Sequence, residues 1–426
     1  MIRMSVPHVV LIHCHDVGTW LSCYDAPGAP TPQLQRLADE GVVFDRAFAT
    51  SPLCTPARSA LFTGMSPHRN GLIGLSHHGW RYAPGVRTLP ERVRDLGCRT
   101  TLIGLQHEDP DPCVLGFDDV RGLGFLPRAM QVARESVSWF AENGRSATPY
   151  LVTIGMWEAH RPWPPEDYAA FPPEQVDVPP YLPDNDDTRA DVAGLYGSIR
   201  QLDEAVGTVL DAIEEHGDPD NTLVIFTTDH GAAFPRAKGT LYDPGVRVAM
   251  IARPPRAWNV APRRERSLVS HLDVVPTLLD LFGGQVPPQL EGQTLRPALT
   301  GSNGPADRSL YLQKTFHDGY DPIRAVRTER FKYIRNFAAG PKLVLSKDLE
   351  DSLTRRGMGD DHLAPRPAEE LYDLDNDPWE ATNLADDPRW LTVRDRLARQ
   401  LDEDMVRLAD PLLDGPVEPP SPPVRT

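Results

Sequence analysis

The residues able to do chemistry start with a cysteine. Cys54 stands two residues before Pro56 and four before Arg58, and Leu61-Phe62 and Thr63-Gly64 follow. Proline suits the first position of a helix, so the spacing predicts a helix opening at Pro56 with Cys54 just outside its N-terminus. Free backbone N–H groups and the helix dipole favour negative charge there, which lowers a thiol pKa or equally holds a bound oxyanion. A second set of polar residues follows short apolar runs: His15-Asp16, His107, His160 and Asp229-His230. Any one of these alone reads as a solvated or hydrogen-bonded side chain. Together they make a mixed carboxylate and imidazole metal site, provided that the apolar runs are neighbouring strands.

The runs do read as strands. Val9-Val10-Leu11-Ile12, Thr100 to Gly104, Tyr150 to Gly155 and Leu223 to Thr227 are short, continuous and apolar, as strands buried on both faces are. Helical patterns lie between them. Thr31 caps one that begins at Pro32 and stops at Gly41, and another runs from about Ala129 to Glu142. The clearest keeps a three-or-four spacing through Val192, Leu195, Tyr196, Ile199, Leu202, Val206, Val209, Leu210 and Ile213. This alternation predicts the α/β class, with a mainly parallel sheet covered by helices on both faces. In such sheets ligands sit beyond the C-terminal ends of the strands, where these polar residues fall. After about residue 300 the texture changes to antiparallel strands, Leu310 to Gln313 and Ile323 to Arg335, then a helix from about Leu391 to Leu408. The expected organisation is a catalytic α/β domain over 1–300, a small α+β domain over 301–414 and a disordered Pro-rich tail over 415–426.

Composition narrows the function classes. A net charge of −16 on 426 residues provides no basic stripe for phosphates, which excludes nucleic acid as a partner, and its field repels long polyanionic glycans. No apolar run approaches the roughly 20 residues that span a bilayer, so no membrane partner is expected. Met1 to Pro7 leads straight into the first strand without the apolar region of a signal peptide. Five cysteines (14, 23, 54, 98 and 113) do not make a disulfide framework, and a reducing cytoplasm is the expected location.

Pro52-Leu53-Cys54-Thr55-Pro56-Ala57-Arg58, two free positions, then Leu61-Phe62-Thr63-Gly64, resembles the signature of the type I sulfatases of the alkaline phosphatase superfamily. The likeness runs from about Val9 to about Pro388, and its nearest flavour is the sulfamidase-like (heparan N-sulfatase-like) branch. It implies an alkaline-phosphatase-like fold with a small C-terminal antiparallel sheet plus helix. It also implies that a formylglycine-generating enzyme oxidises Cys54 to formylglycine, whose hydrated aldehyde is the nucleophile. By the same resemblance Asp16 and Asp229 are metal ligands, Arg58 holds the hydrated aldehyde, and His107 helps its hydroxyls exchange protons. His160 falls near the leaving atom, and Lys238 grips the sulfate group, with Arg236 as competitor. Three positions depart from the family. His15 stands for the first Asp of an Asp-Asp pair, His230 fills a slot that is usually Asn, and Leu105 replaces a lysine, leaving one cation fewer on the transferring group. Trp157, like Trp80 and Trp163, is either a stacking platform for a sugar or aryl leaving group or a core residue. His317 is a candidate to reach the site from the C-terminal domain.

The implied activity is metal-dependent hydrolysis of a sulfate ester or an N-sulfo group on a small substrate. The alternatives are a phosphonate monoester or phosphodiester hydrolase of the same superfamily, and a binding homologue without catalysis, for which Leu105 and His15 are the only support. The expected cofactor is one divalent cation at His15, Asp16, Cys54, Asp229 and His230. Calcium, the family default, is the expected ion, with manganese or zinc, which two imidazoles suit, as the alternative. A homo-oligomer is left open.

Overall fold

The computed structural model describes residues 6–24, 28–124 and 126–420. Its main elements begin with β1 (His8–Cys14), α1 (Pro32–Asp39), β2 (Val42–Phe44), α2 (Cys54–Thr63), β3 (Arg99–Gly104) and β4 (Asp119–Arg121). They continue with α3 (Ala129–Asn143), β5 (Tyr150–Gly155), α4 (Asp186–His216), β6 (Thr222–Thr228), β7 (Met250–Arg253), β8 (Arg263–Glu265) and α5 (Val274–Leu281). The eight strands form one sheet in the order β8-β2-β7-β6-β1-β5-β3-β4. Among these strands only β7 runs antiparallel to its neighbours.

The period of two along β1 explains why this sheet is covered on both faces. Val10 and Ile12 join one apolar cluster, packed with Leu195, Ile199, Leu202 and Val206 of α4. Val9 and Leu11 join the other, packed with Ala57, Leu61 and Phe62 of α2 and Leu278 of α5. A strand with both faces covered has no polar side, which is why it reads as a continuous apolar run.

The C-terminal region is a four-stranded antiparallel sheet of β9 (Leu310–Phe316), β10 (Tyr320–Arg327), β11 (Phe331–Asn336) and β12 (Glu369–Asp373). One face takes Leu397, Leu401 and Met405 of α6 (Leu391–Leu408). The other packs on Phe48, Tyr242 and Val246 of the larger layer. The smaller sheet therefore packs on segments that lie outside the strands of the larger one, and its own connections reach the larger sheet's C-terminal edge. Part of the tail expected to be disordered is placed: Val417 donates its N–H to the Tyr320 hydroxyl at 3.2 Å, and residues 416–420 line one cavity with His78 and Trp80. Residues 421–426 lie outside the described residues. No helix among the described residues is long and apolar enough to cross a membrane.

Candidate active site

Strands β6, β1, β5 and β3 are consecutive in the sheet and parallel, so their C-terminal ends line up along one edge. The segments that leave those ends carry Asp229-His230, His15-Asp16, His160 and His107 in turn. Close approach at this edge depends on Gly104, at φ +81°, where an added Cβ would lie 2.4 Å from the Gly155 carbonyl oxygen. Asp16 also has a left-handed backbone, φ 50°, a conformation that costs a non-glycine residue about 1–2 kcal/mol. It is held there by its N–H, which donates to Asp229 Oδ1 at 2.9 Å.

The helix α2 starts at Cys54 itself, not at Pro56. Pro56 is the third helical residue, where the backbone N–H has no intrahelical partner to lose. Ligand atoms of His15, Asp16, Cys54 and Asp229 lie within 4.8 Å of one another, all buried. His15 Nδ1 is 2.9 Å from Asp229 Oδ2 without hydrogen-bond geometry, and neither ring nitrogen of His15 nor Asp16 Oδ1 has a hydrogen-bond partner. His230 donates from Nδ1 to the Gly231 carbonyl at 2.9 Å. In the neutral ring this turns its Nε2 lone pair on Asp16 Oδ1 at 3.1 Å and Cys54 Sγ at 3.4 Å. Electron-rich atoms facing one another in a buried site, with an imidazole braced by a backbone carbonyl, form a donor set that fits a divalent cation.

Electrostatics set the protonation states. Burial, helped by Arg58, holds His15 well below its usual pKa, so it is a neutral imidazole. Burial opposes ionisation of Asp229, yet the groups around it, the Arg58 guanidinium among them, keep its carboxyl well below the usual range. For Asp16 burial is likewise outweighed, by Lys238 first and His160 next. The thiol of Cys54 goes the other way from the expectation at a helix N-terminus. Burial raises it well above its ordinary value, Asp16 and Asp229 add to this, and Lys238 and Arg58 offset it only in part.

The cations are already engaged. Arg58, fully buried, donates to the Cys14 carbonyl at 2.8 Å and Asp229 Oδ2 at 3.1 Å, and Nη1 meets His13 Nδ1 at 2.7 Å. Lys238 Nζ sits 2.8 Å from Asp16 Oδ2 and 2.8 Å from Asp348 Oδ2. His160 donates from Nδ1 to the Arg161 carbonyl at 2.6 Å, leaving Nε2 3.9 Å from Asp16 Oδ2. Burial and then Lys238 lower its pKa. Trp157 stacks on the His160 ring at 4.4 Å. His107 packs edge-on against His15 at 5.3 Å, and burial drives its pKa down to about 3. A cavity of about 390 Å³ opens beside His107 and is lined by Leu105, His77, Pro110, Pro112 and Trp157.

The structure thus brings together His15, Asp16, Cys54, Arg58, His107, Trp157, His160, Asp229, His230 and Lys238. Arg236 does not join them. At φ 64° its guanidinium turns to the carbonyls of Trp379 and Glu380 and lies over the Tyr242 ring. His317 stays at the rim, with Nδ1 3.1 Å from Asp318 and within the field of Lys238. Sequence reasoning missed two residues. His13 precedes His15 inside β1, and its inward turn beneath Arg58 follows from the strand's period of two. Asp348 comes from the short helical turn Lys347–Glu350, with no pattern around it to mark it.

Comparison with known proteins agrees with this geometry. The sulfatase family profile matches residues 7–284, and the profile described as N-sulphoglucosamine sulphohydrolase, C-terminal, matches residues 234–352. Human (Homo sapiens) N-sulphoglucosamine sulphohydrolase is 28% identical over 477 residues, covering 97% of this chain and 93% of that protein. Human arylsulfatase A is 30% identical over 433 residues, covering 89% and 83%. A structure solved in complex with its substrate, D-glucosamine-2-N,6-O-disulfate, matches the fold with a TM-score of 0.74 at 19% identity, covering 97% of this chain and 99% of that one. With its parallel sheet, its small C-terminal antiparallel sheet and its cysteine at the head of α2, the chain belongs to the sulfatase family, on the alkaline-phosphatase-like fold.

Proposed function

We propose that the chain hydrolyses a sulfate ester or an N-sulfo group on a small sugar through Cys54 after its oxidation to formylglycine, beside one divalent cation held by His15, Asp16, Asp229 and His230. The observation that carries this reading is the convergence of those donors on the first residue of α2. Sulfatases generally use a metal and a formylglycine. The hydrated aldehyde supplies one hydroxyl to attack sulfur and a second whose collapse releases sulfate.

The chain's own residues do the rest. Arg58 brings positive charge beneath residue 54 and fixes Asp229. Lys238 has three N–H donors and spends two on carboxylates, so one is left for a nonbridging sulfo oxygen. His107, a neutral imidazole beside Cys54, takes a proton from residue 54 and returns it. His160, with Nδ1–H spent on a carbonyl, turns Nε2 to the leaving atom, where its imidazolium form carries the proton that the departing atom takes. Two imidazoles among the donors support manganese or zinc over calcium, the family default.

Intact mass and peptide mapping after coexpression with a formylglycine-generating enzyme test the nucleophile; active protein with an unmodified thiol would falsify it. Elemental analysis of protein purified without chelator tests the cation, and calcium at one equivalent with no rescue by manganese or zinc reverses that choice. Rates on 4-nitrophenyl sulfate, N-sulfoglucosamine and an aryl phosphonate fix the reaction, with sulfate release expected to dominate.

A further inference from the structure

We propose that Asp348 recognises a hydrogen-bond donor on the leaving group, at the atom bearing the sulfo group or at its neighbour. This rests on the sulfatase reading above. The C-terminal region delivers Asp348 into the edge where the four strand ends meet: Asp348, His160 and Asp16 present atoms within 4.8 Å of one another. Its side chain is 22% exposed, whereas those of Asp16 and Lys238 are buried, so Asp348 faces the open side of the site.

A second cation is not what this pair of carboxylates takes. The Lys238 ammonium already sits 2.8 Å from both Asp16 and Asp348, in the position where such a cation would lie. Nor is Asp348 used up by that contact. A carboxylate has about four acceptor directions; Lys238 takes one and the Ser346 hydroxyl another, leaving about two. The free N–H of Lys238 and the free lone pairs of Asp348 therefore stand side by side, a donor next to an acceptor.

That pairing selects a substrate. A sulfamate, R–NH–SO₃⁻, presents an N–H and a sulfonyl oxygen from adjacent atoms, one for Asp348 and one for Lys238. A sulfate ester with a neighbouring hydroxyl presents the same pair across a few more bonds. A simple aryl sulfate presents no donor, and its bridging oxygen directs lone pairs at the carboxylate. A buried or half-buried acceptor left without its donor is the feature that separates substrates most sharply.

The test uses the matured full chain, its Asp348→Ala and Asp348→Asn variants, and two probes, N-sulfoglucosamine and 4-nitrophenyl sulfate. Sulfate release gives kcat/KM for each, and thermal unfolding confirms that each variant is folded. Asp348→Ala is expected to fall roughly ten- to a hundredfold further on N-sulfoglucosamine than on the aryl ester. Asp348→Asn, which keeps one accepting oxygen, is expected to recover part of that difference. Equal losses on both probes would make Asp348 a mere anchor for Lys238 and overturn the proposal. So would a parent enzyme that turns over only the aryl ester. A parent with verified formylglycine that releases sulfate from neither probe defeats the sulfatase reading itself, and is thereby told apart from a failure of Asp348 alone.

Discussion

Asp410 shows how firmly the smaller sheet is tied to its helix, and replacing it with alanine measures the tie. Its carboxylate, 1% exposed, accepts from Arg324 Nε at 2.6 Å and Nη2 at 3.1 Å, from the Tyr311 hydroxyl at 2.6 Å and from the Leu412 N–H at 2.9 Å. Arg324 is fully buried and keeps the Lys314 and Ile323 carbonyls but no carboxylate once Asp410 is truncated. Breaking a buried pair from one side leaves an uncompensated charge and costs about 3–5 kcal/mol. For a chain of 426 residues that lowers the melting temperature by roughly 3–6 °C. The double variant Arg324→Met, Asp410→Leu removes both charges and is expected to recover most of the loss. Burial opposes ionisation of Asp410, but Arg324 holds its carboxyl below the usual range. A depressed carboxyl stabilises the fold above its unfolded pKa of about 4 and loses that contribution as pH falls further. The gap between parent and Asp410→Ala should thus be full at neutral pH and narrow below about pH 4. Calorimetry across that range decides the matter. A loss under about 1 kcal/mol at pH 7, or a double variant as unstable as the sum of the singles, refutes the reasoning.

Other perturbations probe the site's supports. Asp191 accepts from both Arg161 Nη atoms at 2.7 Å and from the Thr354 hydroxyl at 2.7 Å, so it ties the residue after His160 to the segment just beyond Asp348. Asp191→Ala should cost about 3–5 kcal/mol by urea denaturation and lower kcat on every substrate; intact kcat would show that the two segments are placed independently. Gly104→Ala should cost at least about 1–2 kcal/mol, because φ +81° and the Gly155 carbonyl both oppose a Cβ. A neutral effect would mean that the strand ends relax freely. His160→Ala should reduce rates on substrates with poor leaving groups by about 10²–10⁴, and far less on activated aryl esters. Equal losses would leave His160 a positioning role only.

What was legible in the sequence follows from where each feature's cause lies. The four central strands announced themselves because both of their faces are buried, and the polar residues at their ends were visible for the same reason: a break in an apolar run is local. The choice between Arg236 and Lys238 was not local. Two residues apart, they are separated by the left-handed backbone at Arg236 and by carbonyls at Trp379 and Glu380, more than 140 positions downstream. Asp348 was hidden in the same way, since its meaning comes from Lys238, 110 positions away in the chain.

The thiol of Cys54 is the case where two physical effects compete and magnitude decides. A helix N-terminus stabilises a negative charge by about 0.3–1 kcal/mol, or up to about 2 in favourable partly buried geometry. Full burial raises a thiol by up to about 3–5 pKa units, and each unit is worth about 1.4 kcal/mol. Here Cys54 is 3% exposed, and Asp16 and Asp229 stand among its neighbours. The local argument from sequence had the right sign for the helix and the wrong sign for the site, because only the fold supplies the burial, to which the two carboxylates add. A thiol so disfavoured as thiolate is a poor nucleophile. The proposed chemistry therefore begins with its conversion to a hydrated aldehyde, whose hydroxyls can serve this anionic site where a thiolate cannot.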